Sequence, residues 1–275
     1  MSVAISVGNN GVGRRESASG IVSASLQIAQ RVLRKFLRSP QLVIIGTVQG
    51  SMFLLIFRYV FGGAITLPHI DYVNFVVPGF VTTGVLFTGM YASAGVAEDM
   101  ESGLMSRLRS LPMPRSAVLL GRAVADTVMQ VWSLGITIAI GFLVGFRLHA
   151  GGDAVVESAL LLILFGFVFE WAFILMGLIA GSAQAAQGFG LMVFPFTFIS
   201  SAYVPVASMP SWLRGFAENQ PMTMMVDSVR TLTEGSPAEA LVAHPASYFV
   251  VRSLIWSAVL IVVFIALAVA RYRRG

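Results

Sequence analysis

A chain of 275 residues that is 56% hydrophobic and only 11% charged, with a mean hydropathy of +0.82, cannot bury its apolar surface against itself in water; soluble domains carry roughly 25% charged residues, so a bilayer must act as its solvent. The absence of cysteine removes disulfide frameworks, thiolate metal sites and thiol nucleophiles together. The formal net charge of +5 and pI of about 10.1 would suit nucleic acid, but the basic residues cluster at the ends of apolar runs, where a membrane protein needs them, so no nucleic-acid partner is expected.

Residues 1–21 are rich in Gly, Ser and Asn, and Arg14 and Arg15 follow a weak, Gly-broken stretch. A signal peptide orders these features the other way, so the segment reads as a disordered cytoplasmic tail. Residues 22–39 follow as an amphipathic helix: at 100° per residue Leu26, Ala29, Leu33, Phe36 and Leu37 share one face, opposite Gln27, Gln30, Arg31, Arg34, Lys35 and Arg38. A cationic helix of this kind suits the membrane interface, as a plain anchor or with a mechanical role, and Pro40 ends it.

Residues 40–275 form the transmembrane domain. About 20 apolar residues cross the hydrocarbon, and six segments qualify: about 41–61, 75–97, 117–146, 155–180, 187–205 and 249–270. Pro195 and Pro205 interrupt the fifth, which requires protein or a cavity to satisfy the freed backbone groups. The N-terminal segment, the loop at 98–122 and the C-terminus together hold 13 of the 18 basic residues, which assigns both termini to the cytoplasm and requires an even number of spans. The expected fold is therefore all-α and integral to the membrane, with six spans.

No HExxH or GxSxG motif occurs, and the three histidines are scattered. The only lysine, Lys35, has no glycine loop before it, so the chain has no P-loop of its own. No cofactor is expected on this chain, and any ATP and Mg must sit on a partner.

Two connections stand out. In AEDMESGLMSRLRSLPMPRSAVLLGR, residues 97–122, the acids Glu98, Asp99 and Glu101 close a span and Gly103 follows. Leu104, Leu108 and Leu111 lie at helical spacing beside Arg107 and Arg109, Pro112 and Pro114 stop the helix, and Arg115 and Arg122 flank the next span. That leucine stripe must be buried, in a groove on a cytoplasmic partner or on the lipid surface. The second connection, between spans five and six, is too polar to span and too apolar for an exposed loop. Two short helices fit, about 209–217 and 221–233, with Pro221 opening the second; they dip back into the outer leaflet, or Trp212 holds an interfacial loop at headgroup level.

SGLMSRLRSLPMPRSAVLLGR and VPVASMPSWLRGFAENQPMT, the latter continuing to VDSVRTLTEG, stand after an amphipathic helix and two spans and after a fifth span respectively. In this order the chain resembles the type-2 ABC transporter permeases, in particular daunorubicin/doxorubicin-resistance-type export permeases of actinobacteria. The resemblance implies a multi-pass protein of a bacterial cytoplasmic membrane, with six spans. It implies pairing with a second permease copy or paralogue above a separate cytoplasmic ABC ATPase, which hydrolyses the ATP, so that this chain is a transport subunit and not an enzyme. It makes residues about 98–115, with Glu98, Asp99, Glu101, Gly103, Leu104, Arg107, Leu108, Arg109, Pro112 and Arg115, the coupling helix that docks on the ATPase. The helix bearing Arg31, Arg34, Lys35 and Arg38 becomes the connecting helix, and Pro205, Pro210, Trp212, Leu213, Pro221 and Arg230 mark an outer cap.

Spans this apolar favour a hydrophobic small molecule or a lipid as cargo over a polysaccharide or glycolipid. Gln49, Thr83, Phe87, Phe194 and Phe198 are candidates for lining its path. Glu170 sits mid-span, as a substrate contact or a structural carboxyl held neutral or paired. An ion-driven secondary transporter would need Glu170, but few ionisable groups and no inverted repeat accompany it. Asp126 follows Arg122 at i, i+4, the spacing of a helical ion pair. Gly46–Gly50, Gly141–Gly145 and Gly177–Gly181 read as close helix packing, and the first of these pairs also as a permease–permease contact.

Overall fold

A computed structural model describes residues 18–38, 51–110, 115–242 and 244–274, and among them every regular element is a helix. Gln49, the Gly46–Gly50 pair, Leu111, Pro112 and the first part of the first span lie outside the described residues.

Among the described residues four helices are long and apolar enough to cross a membrane: α3 (Tyr72–Glu101), α5 (Arg115–Leu143), α6 (Gly152–Ala180) and α12 (Ala246–Arg274). They match the second, third, fourth and sixth expected spans, each with a modest shift of its ends. Before them come α1 (Ala18–Leu37) and the described end of the first span, α2 (Ser51–Phe61), which closes in a π turn. The fifth expected span is not one helix. Residues 183–198 form α7 (Ala183–Leu191) and α8 (Val193–Phe198), and turns follow to Pro205. Pro195 has no N–H to donate back toward α7, and Ile199 N–H closes α8 on the Pro195 carbonyl, so the two helices stay separate and short. The connections are α4 (Leu104–Ser110) and, between Tyr203 and the last span, α9 (Ser211–Asn219), α10 (Pro221–Glu234) and α11 (Ser236–Val242).

α3 is the central helix and packs on α5, α6, α7 and α10. One apolar core fills the α10 end of the bundle, around Phe75, Phe80, Phe165, Phe173 and Met225. A second fills the end carrying α1 and α4, around Val96, Met105, Leu119, Trp171 and Tyr272. α12 lies outside, against α6 and α10.

Glycine sets the closest approaches. A Cβ at Gly79 would stand 1.9 Å from the Ala202 carbonyl oxygen, and one at Gly177 2.5 Å from that of Ser93. The second glycines of the two described GxxxG pairs serve differently: Gly145 (φ +107) and Gly181 (φ +73) follow their helices in the left-handed region, which favours glycine. Gly177→Ala is therefore expected to destabilise the bundle by about 1–3 kcal/mol, because α6 must back away from the α3 backbone. Gly188→Ala, whose Cβ would meet nothing within 4 Å, serves as the control. Unchanged thermal midpoints for both in detergent would refute the account.

α1 docks on α5 by a face that periodicity singled out only at Ala29. Ala24, Ser25, Ile28 and Ala29 are buried, while Leu26 and Leu37 stay exposed. Ser25 Oγ donates to the Ala117 carbonyl at 3.1 Å, and Gly121 lets the α1 backbone come close. Small residues win this contact because they admit the nearest approach.

Candidate functional site at the α1 and α4 end

α3 closes at Glu101; Ser102 N–H bonds back to Glu98 O, and Gly103 turns the chain at φ +68 into α4. Met105 is buried in the local core, with Leu108 half-buried against it, so α4 hides part of its apolar stripe inside its own chain. Glu101 and Arg107 remain exposed, and the side chain of Arg109 and those of 111–116 lie outside the described residues.

A ladder of ion pairs ties this turn to its neighbours. Lys35 Nζ stands 3.1 Å from Glu98 Oε2, and Arg31 reaches Asp99 at 3.8 Å. Both join α1 to the last turn of α3. Arg122 of α5 then takes Asp99 at 3.3 Å and Asp126 at 2.6 Å, and donates to the Ala92 carbonyl at 3.1 Å. The expected i, i+4 pair is thus one rung of a network spanning three helices. The outer rung is exposed and contributes about 0–1 kcal/mol, so it positions more than it stabilises. Arg34 and Arg38 are exposed.

Glu170 belongs to this network and not to the aromatic path. It is buried on α6, near enough to Arg122 and Asp126 to feel their charges, and its Oε2 has no hydrogen-bond partner. One turn earlier, a Cβ at Gly166 would collide with the amide of Gln130. Spacing within one helix showed the Arg122–Asp126 pair; the approach of Glu170 from another helix had no signal in the sequence.

The path candidates do gather. Phe87 meets Phe194 at 4.9 Å, Phe194 stacks on Phe198 at 6.5 Å, and Phe198 meets Tyr203 at 5.0 Å. Tyr203 donates its hydroxyl to Thr83, so Thr83 is a buried anchor of this column and not a lining residue.

At the opposite end, Arg230 of α10 is fully buried. Its Nε donates to Phe75 O at 3.0 Å, one terminal nitrogen to Ser201 O at 2.6 Å, and the other pairs with Asp227, while its plane lies 3.8 Å over the Phe75 ring. Trp212 is 80% exposed and Pro210 exposed, whereas Leu213, Pro205 and Pro221 are half-buried. Sequence reasoning missed Asp227 and Ser201 as the partners of Arg230, although Asp227 stands at i−3 from it. It also missed Glu234, buried at the end of α10, whose Oε2 lies 2.9 Å from His149 Nδ1.

Residues 24–233 match the family model described as ABC-2 type transporter. The chain is 31% identical over 225 residues to a daunorubicin resistance ABC transporter permease protein of Streptomyces coeruleorubidus, covering 82% of this chain and 80% of that one. It is 24% identical over 265 residues to a probable doxorubicin resistance ABC transporter permease protein of Mycobacterium tuberculosis, covering 96% and 93%. A probable multidrug ABC transporter permease of Escherichia coli is 25% identical over 169 residues, covering 60% and 45%. With these relatives and its apolar helices, the chain belongs to the ABC-2 type transporter family and is a multi-pass permease of a bacterial inner membrane.

Proposed function

We propose that this permease is the membrane subunit of an exporter for hydrophobic or amphipathic molecules, drug-like or lipid, driven by ATP hydrolysis on a separate cytoplasmic ABC ATPase and working beside a second permease. The observation that carries this reading is the ion-paired turn between α3 and α4. Glu98 and Asp99 hold α1 by Lys35 and Arg31, and Asp99 holds α5 by Arg122. A push delivered to α4 by an ATPase reaches three helices at once, without any side chain doing bond chemistry. The motion this implies is a hinge or shear of packed helices. α9 and α10 would yield at the far end, and the aromatic column from Phe87 to Phe198 offers a poorly discriminating wall for a greasy cargo.

The test is co-purification of the tagged permease from its native host. A P-loop ATPase should come with it in equimolar amount. Glu101→Arg, a change at an exposed position, should lower ATPase recovery about tenfold, as loss of an interface anchor does, while the permease still elutes as a single species. Full transport by the purified permease alone, indifferent to ATP, would end the reading.

A further inference from the structure

α9 and α10 meet at a single extended residue. Gln220 ends the first and opens the second, with φ −76 and ψ 153 between two helical stretches. The two helices are held very differently. Every residue of α10 after Pro221 is buried, and Arg230 ties it to α3 and to the turn at Ser201. Of the nine residues of α9 only Ala217 is buried. α9 rests chiefly on α10 and on the turn at Val206–Ser208. Beyond these, Asn219 accepts a hydrogen bond from Arg252 of α12 at 3.3 Å, and the Phe216 ring meets that of Phe196 at 6.3 Å. An element with so little buried surface opens at low cost, so yielding at this end starts with α9.

Gln220 is itself 6% exposed, and its side chain reaches out of the cap. Nε2 donates to the carbonyl of Phe196 at 3.3 Å and to that of Ile199. Both oxygens belong to the C-terminal end of α8, where the helix stops and leaves its last carbonyls without a donor of its own. α8 carries Phe194 and Phe198, the middle of the aromatic column that runs from Phe87 to Tyr203. One amide thus sits at the pivot of the exposed helix and closes the end of the helix that bears the column. Ser201 does not duplicate it, since its bonds to Thr223, Asp227 and Arg230 tie the turn after α8 to the anchored α10.

We infer that Gln220 is a positioning residue for transport, which couples α9, a hinged outer lid, to the aromatic column on α8. While α9 lies closed, the amide holds the end of α8 and the column stays packed. When α9 swings about position 220, the backbone rotation there withdraws the amide. The end of α8 then loosens, and the column parts beneath the opening lid. A greasy molecule meets lid and wall moving together. The inference deepens the exporter reading and rests on it only where the coupled motion is called transport.

The chain contains no cysteine, so one introduced thiol reports alone. Thr197→Cys puts it at a fully buried position on α8, and Ser228→Cys puts a control at a fully buried position on α10. Each is reacted with a small maleimide in the permease alone, in nanodiscs. Gln220→Leu keeps the bulk and loses both donors. It should speed labelling at 197 about tenfold, the worth of hydrogen bonds to carbonyls left unpaired, with labelling at 228 unchanged. Gln220→Asn, which keeps the donors on a shorter arm, should fall between. Arg252→Ala frees Asn219 without touching α8. It should speed labelling at 197 about threefold when Gln220 is present and add nothing to Gln220→Leu. Equal acceleration at 197 and 228 would mean a general loss of packing and overturn the inference. Unchanged labelling at 197 in Gln220→Leu, or additive effects of the two substitutions, would overturn it as well. Should Gln220→Leu fail to fold, Arg252→Ala alone still decides, since no acceleration at 197 leaves lid and column uncoupled. ATPase recovery does not enter this measurement, so its outcome and that of the co-purification are separable.

Discussion

Arg230→Met is expected to destabilise the permease by about 3–5 kcal/mol, the range for breaking a buried ion pair from one side. The guanidinium is wholly buried and satisfies groups on three parts of the chain: the carbonyls of Phe75 on α3 and of Ser201, and the Asp227 carboxylate within α10. Methionine fills a similar volume but leaves two carbonyls without that donor and Asp227 with only the Ser201 hydroxyl, which donates to it at 2.8 Å. Arg230→Lys keeps the charge yet cannot fork in three directions, and it loses the flat stacking over Phe75, so an intermediate loss is expected. The measurement is the thermal midpoint in detergent, followed by size exclusion or by tryptophan fluorescence. Arg230→Met should lower it by roughly 10 °C or more and Arg230→Lys by less. A midpoint within a degree of the parent for the methionine variant would show that the network does not hold the α10 end together.

The same residue marks the boundary of what sequence could tell. Arg230 drew notice only through the resemblance, because it sits in a distinctive stretch between the last two expected spans. Its burial was not legible, since hydropathy treats an arginine outside a span as solvent-facing. Long apolar runs located α3, α5, α6 and α12, because hydrocarbon thickness imposes a length that composition reveals. The helices α9 and α10 were legible from Pro221 at a helix start and from the apolar residues on either side of it. The fifth segment breaks at Met192 and again at Ile199, on either side of Pro195.

Pairing across helices is where sequence reading stops. The i, i+4 spacing gave Arg122 and Asp126, but Glu170 reaches them from α6, 44 positions later in the chain than Asp126. Periodicity gave α1 an apolar face and said nothing of which neighbour it would meet: of that face Ala29 is buried, Leu33 and Phe36 are half-buried and Leu26 and Leu37 stay exposed, while Ala24, Ser25 and Ile28 are buried beside Ala29. In α4 the leucine stripe was assigned wholly outward, whereas Met105, between Leu104 and Leu108, carries the burial. The long helices are thus placed by local pattern, and the charge network between them by tertiary packing.

Stability of the α10 end is expected to fall as pH rises from about 5 to about 8. Glu234 lies outside the four long apolar helices and is 1% exposed; burial pushes its carboxyl from the ordinary 4.5 up to about 7, against the opposing pull of the His149 hydrogen bond and charge and of Arg230. The other titratable groups sharing its cavity are His69 and Asp71. Because the folded value is the higher one, the folded protein keeps a proton that the unfolded chain releases above 4.5. The resulting stabilisation is complete below about 4.5 and is lost as pH climbs through about 7, at most about 3 kcal/mol for a shift of this size. The structural consequence is local. His149 and Ala150 N–H both bond the Thr233 carbonyl, so an ionised, poorly solvated Glu234 strains the clasp between α10 and the connection from α5 to α6. Hydrogen exchange at 147–151 and at the end of α10 should quicken between pH 6 and pH 8 beyond the intrinsic dependence. In Glu234→Gln, which cannot ionise, both the exchange and the thermal midpoint should stay flat over that window. Identical pH profiles for the parent and Glu234→Gln, or a parent whose stability rises with pH there, would remove Glu234 as the cause.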